Sequence, residues 1–220
     1  MARASATKKK TNDDRPILTS KTVAFVVLTL AVMGLVSARL GIGPRDEAAE
    51  AARAAAASSG AEVARLTQAP PVLGQAVELA DIDGWINSRA TGLGTYSGQV
   101  RIVQFWTFGC FNCKNTLPHL SDIYNRWQPR GLEIIGVHAP EFDREADPNN
   151  VSRAVVELGV TWPVALDTSK TNFRSWQGDR RFWPRTYVLD QNGSIRFDHI
   201  GEGAYNELEA TVAYLIENGP

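Results

Sequence analysis

The chain has 220 residues, 44% of them apolar and 21% charged, which is the composition of a globular protein with one ordinary domain and appendages. Its formal net charge of −1 offers no basis for nucleic-acid binding. It has only two cysteines, too few for a disulfide framework, and three scattered histidines, His119, His138 and His199, supply no second ligand pair for a zinc site.

Residues 1–21 are polar and carry Arg3, Lys8, Lys9, Lys10, Arg15 and Lys21 against Asp13 and Asp14. An apolar run follows from Thr22 to Ala38, extending to Ile42 if Arg39 snorkels. Residues 22–42 are therefore expected to form a single transmembrane anchor, at the short end of the range for a span. The basic leader holds the N-terminus in the cytoplasm, so the remainder is expected outside the inner membrane, on the periplasmic side. The competing reading is a cleavable signal peptide ending at Val36-Ser37-Ala38. Residues 43–67 are Ala-rich and interrupted by a Ser58-Ser59-Gly60 hinge, which reads as a helical stalk or a disordered linker.

The folded domain is expected over 68–220. Residues 72–98 read as an N-terminal extension with short strands. Val100 to Trp106 is a nearly continuous apolar strand, followed by a helix from Phe111 to Trp127 kinked at Pro118, and a second apolar strand from Leu132 to His138. Strand, helix and strand at this spacing make a right-handed βαβ unit with parallel strands. Asp147-Pro148-Asn149 opens a helix through Leu158, Trp162 to Leu166 is extended, and Asp167-Thr168-Ser169 caps a short helix through Trp176. Asn192-Gly193 signals a two-residue hairpin between strands at Tyr187 to Asp190 and Ser194 to Ile200. An amphipathic helix from Tyr205 to Glu217 closes the chain, with Leu208, Val212, Leu215 and Ile216 on one face. The order is α/β with a central mixed sheet.

Both cysteines stand where the first strand gives way to the first helix, in Cys110-Phe111-Asn112-Cys113. A thiol at a helix N-terminus faces unpaired amides and the positive end of the macrodipole, which stabilise its thiolate. Cys110 is the expected nucleophile and Cys113, one turn on, the resolving thiol. A purely structural disulfide across four residues would constrain little of the unfolded chain. The site needs no cofactor beyond a redox-active Cys110–Cys113 disulfide, and no metal. Thr107, three before Cys110, also matches the Thr-x-x-Cys pattern of peroxiredoxins, which leaves a thioredoxin-fold peroxidase as an alternative. A copper or apocytochrome chaperone is another, since two thiolates suit copper(I).

Phe105-Trp106-Thr107 with the cysteine motif and Thr116-Leu117-Pro118, then Gly136-Val137-His138-Ala139-Pro140-Glu141-Phe142, Trp183-Pro184 and Gly201-Glu202-Gly203, resembles the exported TlpA-like thioredoxins of the DipZ type. The resemblance covers residues 70 to 217 and implies a thioredoxin-like fold and a thiol:disulfide oxidoreductase, a protein-disulfide reductase acting on client proteins. It implies a CcdA-like membrane partner as electron donor. It also implies that Pro184 is cis and that Trp183, Pro184, Phe111 and Asn112 contact substrate. Glu141, in the loop after the second strand, would lie beside the cysteines as a proton relay for Cys113. The chain departs from cytosolic thioredoxins at Phe111-Asn112, and it has Thr116 where haem-maturation relatives carry Glu.

Overall fold

The structure, a computed structural model, describes residues 65–219. The leader, the span and nearly all of the stalk lie outside the described residues. Among those that are described, no helix is long and apolar enough to cross a membrane.

The strands are β1 (Gly74–Gln75), β2 (Trp85–Ile86), β3 (Val100–Trp106), β4 (Leu132–His138), β5 (Val164–Leu166), β6 (Arg185–Leu189) and β7 (Ser194–Ile200). The helices are α1 (Phe111–Trp127), α2 (Pro148–Glu157), α3 (Thr171–Gln177) and α4 (Tyr205–Asn218). All seven strands join one sheet in the order β1-β7-β6-β3-β4-β5-β2. β3 pairs with β4 in parallel along its whole length, as the βαβ reading requires, and with β6 antiparallel, so the sheet is mixed. The N-terminal extension supplies both edges: β1 adds to β7 and β2 to β5, each antiparallel. Two residues of pairing at each end cover ladder groups that would otherwise be open for another chain.

Every residue of β3 is buried, and its side chains alternate between two cores. Val100, Ile102 and Trp106 join Leu132 and Ile134 of β4 beneath α1, α2 and α4. Val103 and Phe105 join Ile135 and Val137 on the opposite face, against Phe173 of α3. A strand buried on both faces is apolar except where a polar side chain finds a buried partner, as Arg101 does on the Asp190 carbonyl and Gln104 on the Thr116 hydroxyl, which explains the nearly continuous apolar run in the sequence. Leu208, Val212 and Leu215 of α4 are buried as expected, and Ile216 packs at the margin.

Two turns differ from expectation. The β6–β7 hairpin forms, but not on a two-residue Asn-Gly turn: Gly193 alone takes positive φ, 84°, and its N–H donates to the Asp190 carbonyl. The Asp190 carboxylate accepts from the Asn192 and Ser194 amides, so an aspartate-centred loop replaces the tighter turn, and the pairing shifts register after Val188. At α3 the helix starts later than Asp167-Thr168-Ser169, with Lys170 at the N-cap position in the left-handed region. Asp167 still caps it from a distance, accepting from the amides of Asn172 at 3.2 Å and Phe173 at 2.7 Å. α1 runs unbroken through Pro118, whose ring removes only one amide from the ladder.

Candidate active site

β3 ends at Trp106, and Thr107 to Gly109 turn the chain so that Cys110 becomes the N-cap of α1. The Cys110 amide donates to the Thr107 carbonyl, and the Cys110 sulfur accepts the Cys113 amide at 3.3 Å. A sulfur thus does what a Ser or Asp side chain does at most helix starts. Cys110 is partly exposed, Cys113 is fully buried, and both thiols are free.

The two thiols are driven apart. Cys110 is lowered to about 6, first by the Cys113 thiol donating to it and then by the Cys113 and Asn112 amides, while burial and the charge of Glu141 oppose. Cys113 is pushed far above the ordinary thiol range, first by burial and then by its bond to Cys110. The pair therefore carries one negative charge at neutral pH, and it sits on the accessible sulfur. The unpaired amides named by the sequence argument contribute as expected, and the structure adds the neighbouring Cys113 thiol as the strongest donor.

Trp183–Pro184 is cis, opposite the cysteines, and the Trp183 carbonyl lies 3.9 Å from the Cys110 sulfur. The Trp183 indole stacks on Phe173 at 4.1 Å and donates to the Ala139 carbonyl, which fixes this segment against the loop after β4. Phe111 is 70% exposed and Asn112 is also exposed, both on the first turn of α1. Glu141 is on the surface, close enough for its charge to raise both thiols. The structure thus brings Cys110, Cys113, Trp183, Pro184, Phe111, Asn112 and Glu141 to one end of the sheet.

Phe142, the last residue of the loop motif quoted from the sequence, is 56% exposed beside Glu141. Sequence reasoning missed two residues here. Phe182 is 48% exposed, adjacent to Trp183, which the sequence had singled out. The second is Glu145, 1% exposed, which accepts from the Thr107 hydroxyl at 2.6 Å. His138 lies beside it, stacked on Phe108 and pushed down to about 4, mainly by burial, so it is neutral at physiological pH. Nothing in the sequence marked Glu145, because nothing local to it signals burial. Among the described residues no group of three or more His, Cys, Asp or Glu side chains is placed to hold a metal ion.

The chain is similar to several known proteins. The protein DipZ of Mycobacterium tuberculosis is 36% identical over 149 residues, covering 66% of this chain and 21% of DipZ, so the chain spans about a fifth of that relative's length. The thiol-disulfide oxidoreductase YkuV of Bacillus subtilis is 24% identical over 139 residues, covering 63% of this chain and 92% of YkuV. A solved structure of a thiol-disulfide isomerase from Corynebacterium glutamicum superposes with a TM-score of 0.56 at 20% identity, covering 68% of this chain and 97% of that one, a likeness that establishes the thioredoxin-like fold. Residues 68–198, more than half of the chain, match the AhpC/TSA family, and the chain belongs to that family as a member with a thioredoxin-like domain.

Proposed function

We propose that the chain is a membrane-tethered, extracytoplasmic thiol:disulfide oxidoreductase that reduces disulfides in client proteins through Cys110 and Cys113. The observation that carries the reading is the division between the two thiols: an accessible sulfur lowered to about 6 beside a fully buried one held protonated. The names of YkuV and of the isomerase point the same way.

In this mechanism the Cys110 thiolate attacks one sulfur of a client disulfide, and the other client sulfur leaves as a thiolate. Cys113 then loses its proton, for which Glu141 is the nearby carboxylate, and attacks the Cys110 sulfur. The client leaves with both sulfurs reduced, and the chain keeps a Cys110–Cys113 disulfide. Two electrons have moved, and a membrane donor of the CcdA type would return them. Phe111-Asn112 adds no charge that would stabilise the reduced pair further, which favours the reducing direction. Exposed Phe111, Phe142 and Phe182 suit an apolar client segment, and the Trp183 carbonyl beside Cys110 suits an extended one.

The peroxidase reading needs the Thr107 hydroxyl at the reacting sulfur. That hydroxyl belongs to a fully buried side chain and donates to Glu145 instead.

The layout proposed is a cytoplasmic leader (1–21), an anchor (22–42), a stalk (43–67) and the redox domain (68–220), supported by the basic leader and apolar run of the sequence. Protease added to intact spheroplasts should remove the redox domain; its survival until lysis would sink the tethered, exported placement. The equilibrium potential of the Cys110–Cys113 couple against glutathione tests direction, and a strongly oxidising value would overturn client reduction.

A further inference from the structure

Among the described residues three carboxylates are buried, Glu145, Asp167 and Asp190. Two have a donor on each oxygen. Asp167 takes the backbone and side-chain amides of Asn172 on Oδ1 and the Phe173 amide on Oδ2. Asp190 takes the Asn192 and Ser194 amides on Oδ1 and Arg196 Nε on Oδ2. Both complete turns away from the cysteines.

Glu145 is different. Its Oε2 accepts from the Thr107 hydroxyl at 2.6 Å, the Glu141 amide at 2.8 Å and the Phe142 amide at 3.3 Å, while Oε1 is buried without a partner. An unpartnered buried oxygen is costly and calls for a reason. That oxygen lies against Gly109, the residue before Cys110: a Cβ there would stand 1.8 Å from it. Thr107, held by the same carboxylate, also takes the Cys110 amide on its carbonyl at 3.3 Å. One side chain from the loop after β4 thus touches both ends of the turn that presents the redox pair.

We infer that Glu145 is a positioning residue for the Cys110–Cys113 couple, clamping the Thr107–Cys110 turn through Thr107 and through its close contact with Gly109. The inference rests on the thiol–disulfide reading above and adds a residue to it. The clamp explains why position 109 has no side chain, and why one carboxylate oxygen is left against backbone where a donor would otherwise sit. Without it the turn loosens, the Cys110 sulfur loses register with the Cys113 amide, and the thiolate is less stabilised. The reduced form is then less favoured, and the couple becomes more reducing.

The test uses the full chain with Glu145→Ala, Glu145→Gln, Thr107→Val, Gly109→Ala and the Gly109→Ala/Glu145→Ala pair. Three quantities are read: the Cys110 titration from thiolate ultraviolet absorbance, the potential against glutathione, and the melting temperature. Glu145→Ala and Gly109→Ala should each raise the titration midpoint by about half a unit or more and shift the potential to a more negative value. The double variant should add little to either, because both singles break the same contact. If Glu145→Ala does not fold, the shape-preserving Glu145→Gln and Thr107→Val should show smaller shifts in the same directions. A lowered melting temperature with titration and potential unchanged in the folded variants would make Glu145 purely structural and overturn the inference. Wild-type protein that forms the disulfide but reduces no client would sink the functional reading instead, and leave these measurements standing.

Discussion

The starts of α1 and α3 face the same physical demand and meet it in opposite ways. Each exposes amides with no partner inside the helix. At α3 the buried Asp167 carboxylate takes two of them, with both oxygens occupied and no route to solvent. At α1 a half-exposed sulfur takes one amide and the thiol of its neighbour. An acceptor that is buried and saturated stabilises the fold; one that is accessible and ionised at neutral pH is available for chemistry. The difference teaches that reactivity here comes from using a nucleophile as a helix cap.

Replacing the cap at α1 gives the largest effect. Cys110→Ser should abolish client reduction and any mixed disulfide, while Cys113→Ser should accumulate Cys110 joined to clients, visible on non-reducing gels. Equal trapping by both variants would erase the distinction between the thiols. Cys113→Ala comes next, because it removes the largest cause of the lowered Cys110 value while leaving the amides. The Cys110 midpoint should rise from about 6 toward the ordinary thiol value, and alkylation by iodoacetamide at pH 7 should slow by up to roughly 30-fold as the ionised fraction falls. Cys113→Ser, whose hydroxyl can still donate, should slow it less.

Asp167→Ala breaks the comparison from the other side. It should lower stability by about 1–3 kcal/mol by stranding the α3 amides, with Cys110 alkylation unchanged in the folded protein. A matching change in thiol reactivity would mean that the two helix starts are coupled. The smallest effect is a pH signature of the reduced state. A folded thiol value depressed to about 6 contributes stability that is present above the unfolded value of about 8.5 and lost as pH falls through 6. Cys113, shifted upward, acts in the opposite sense and loses stability once the unfolded chain ionises above about 8.5. The melting temperature of the reduced protein minus that of the oxidised one should therefore climb from pH 6 to about 8.5 and then decline. A flat difference would mean that solvent screens both thiols.

The centre of the sheet was legible because β3 and β4 are buried almost throughout on both faces and so spell nearly continuous apolar runs. β3 and β4 were read with the bounds the structure has, and α1 likewise. The short edge strands β1 and β2 were not placed, since two residues carry no periodicity and their pairing depends on partners over 70 residues away. The hairpin was read for a partly wrong reason: Asn192-Gly193 marked the place, but the Asp190 carboxylate and a left-handed Gly193 set the turn. The cysteine pair stood out because composition isolates it, whereas Glu145 sits in an acidic loop where carboxylates are ordinarily solvated.

What the sequence determined alone is local: which segments bury both faces, where the first helix begins, and that two thiols one turn apart occupy its start. Hydrophobic period, helix geometry and residue type suffice for these, because they act over a few neighbouring positions. The tertiary structure decided how completely Cys113 is sealed, since that depends on α1 packing against β3, β4 and α4. It also decided that Thr107 turns inward to Glu145, 38 residues on, while the Trp183 carbonyl comes to Cys110 from 73 residues away. Contacts at that separation exist only once the sheet has set the strand order, because no local preference along the chain encodes the distance between its loops.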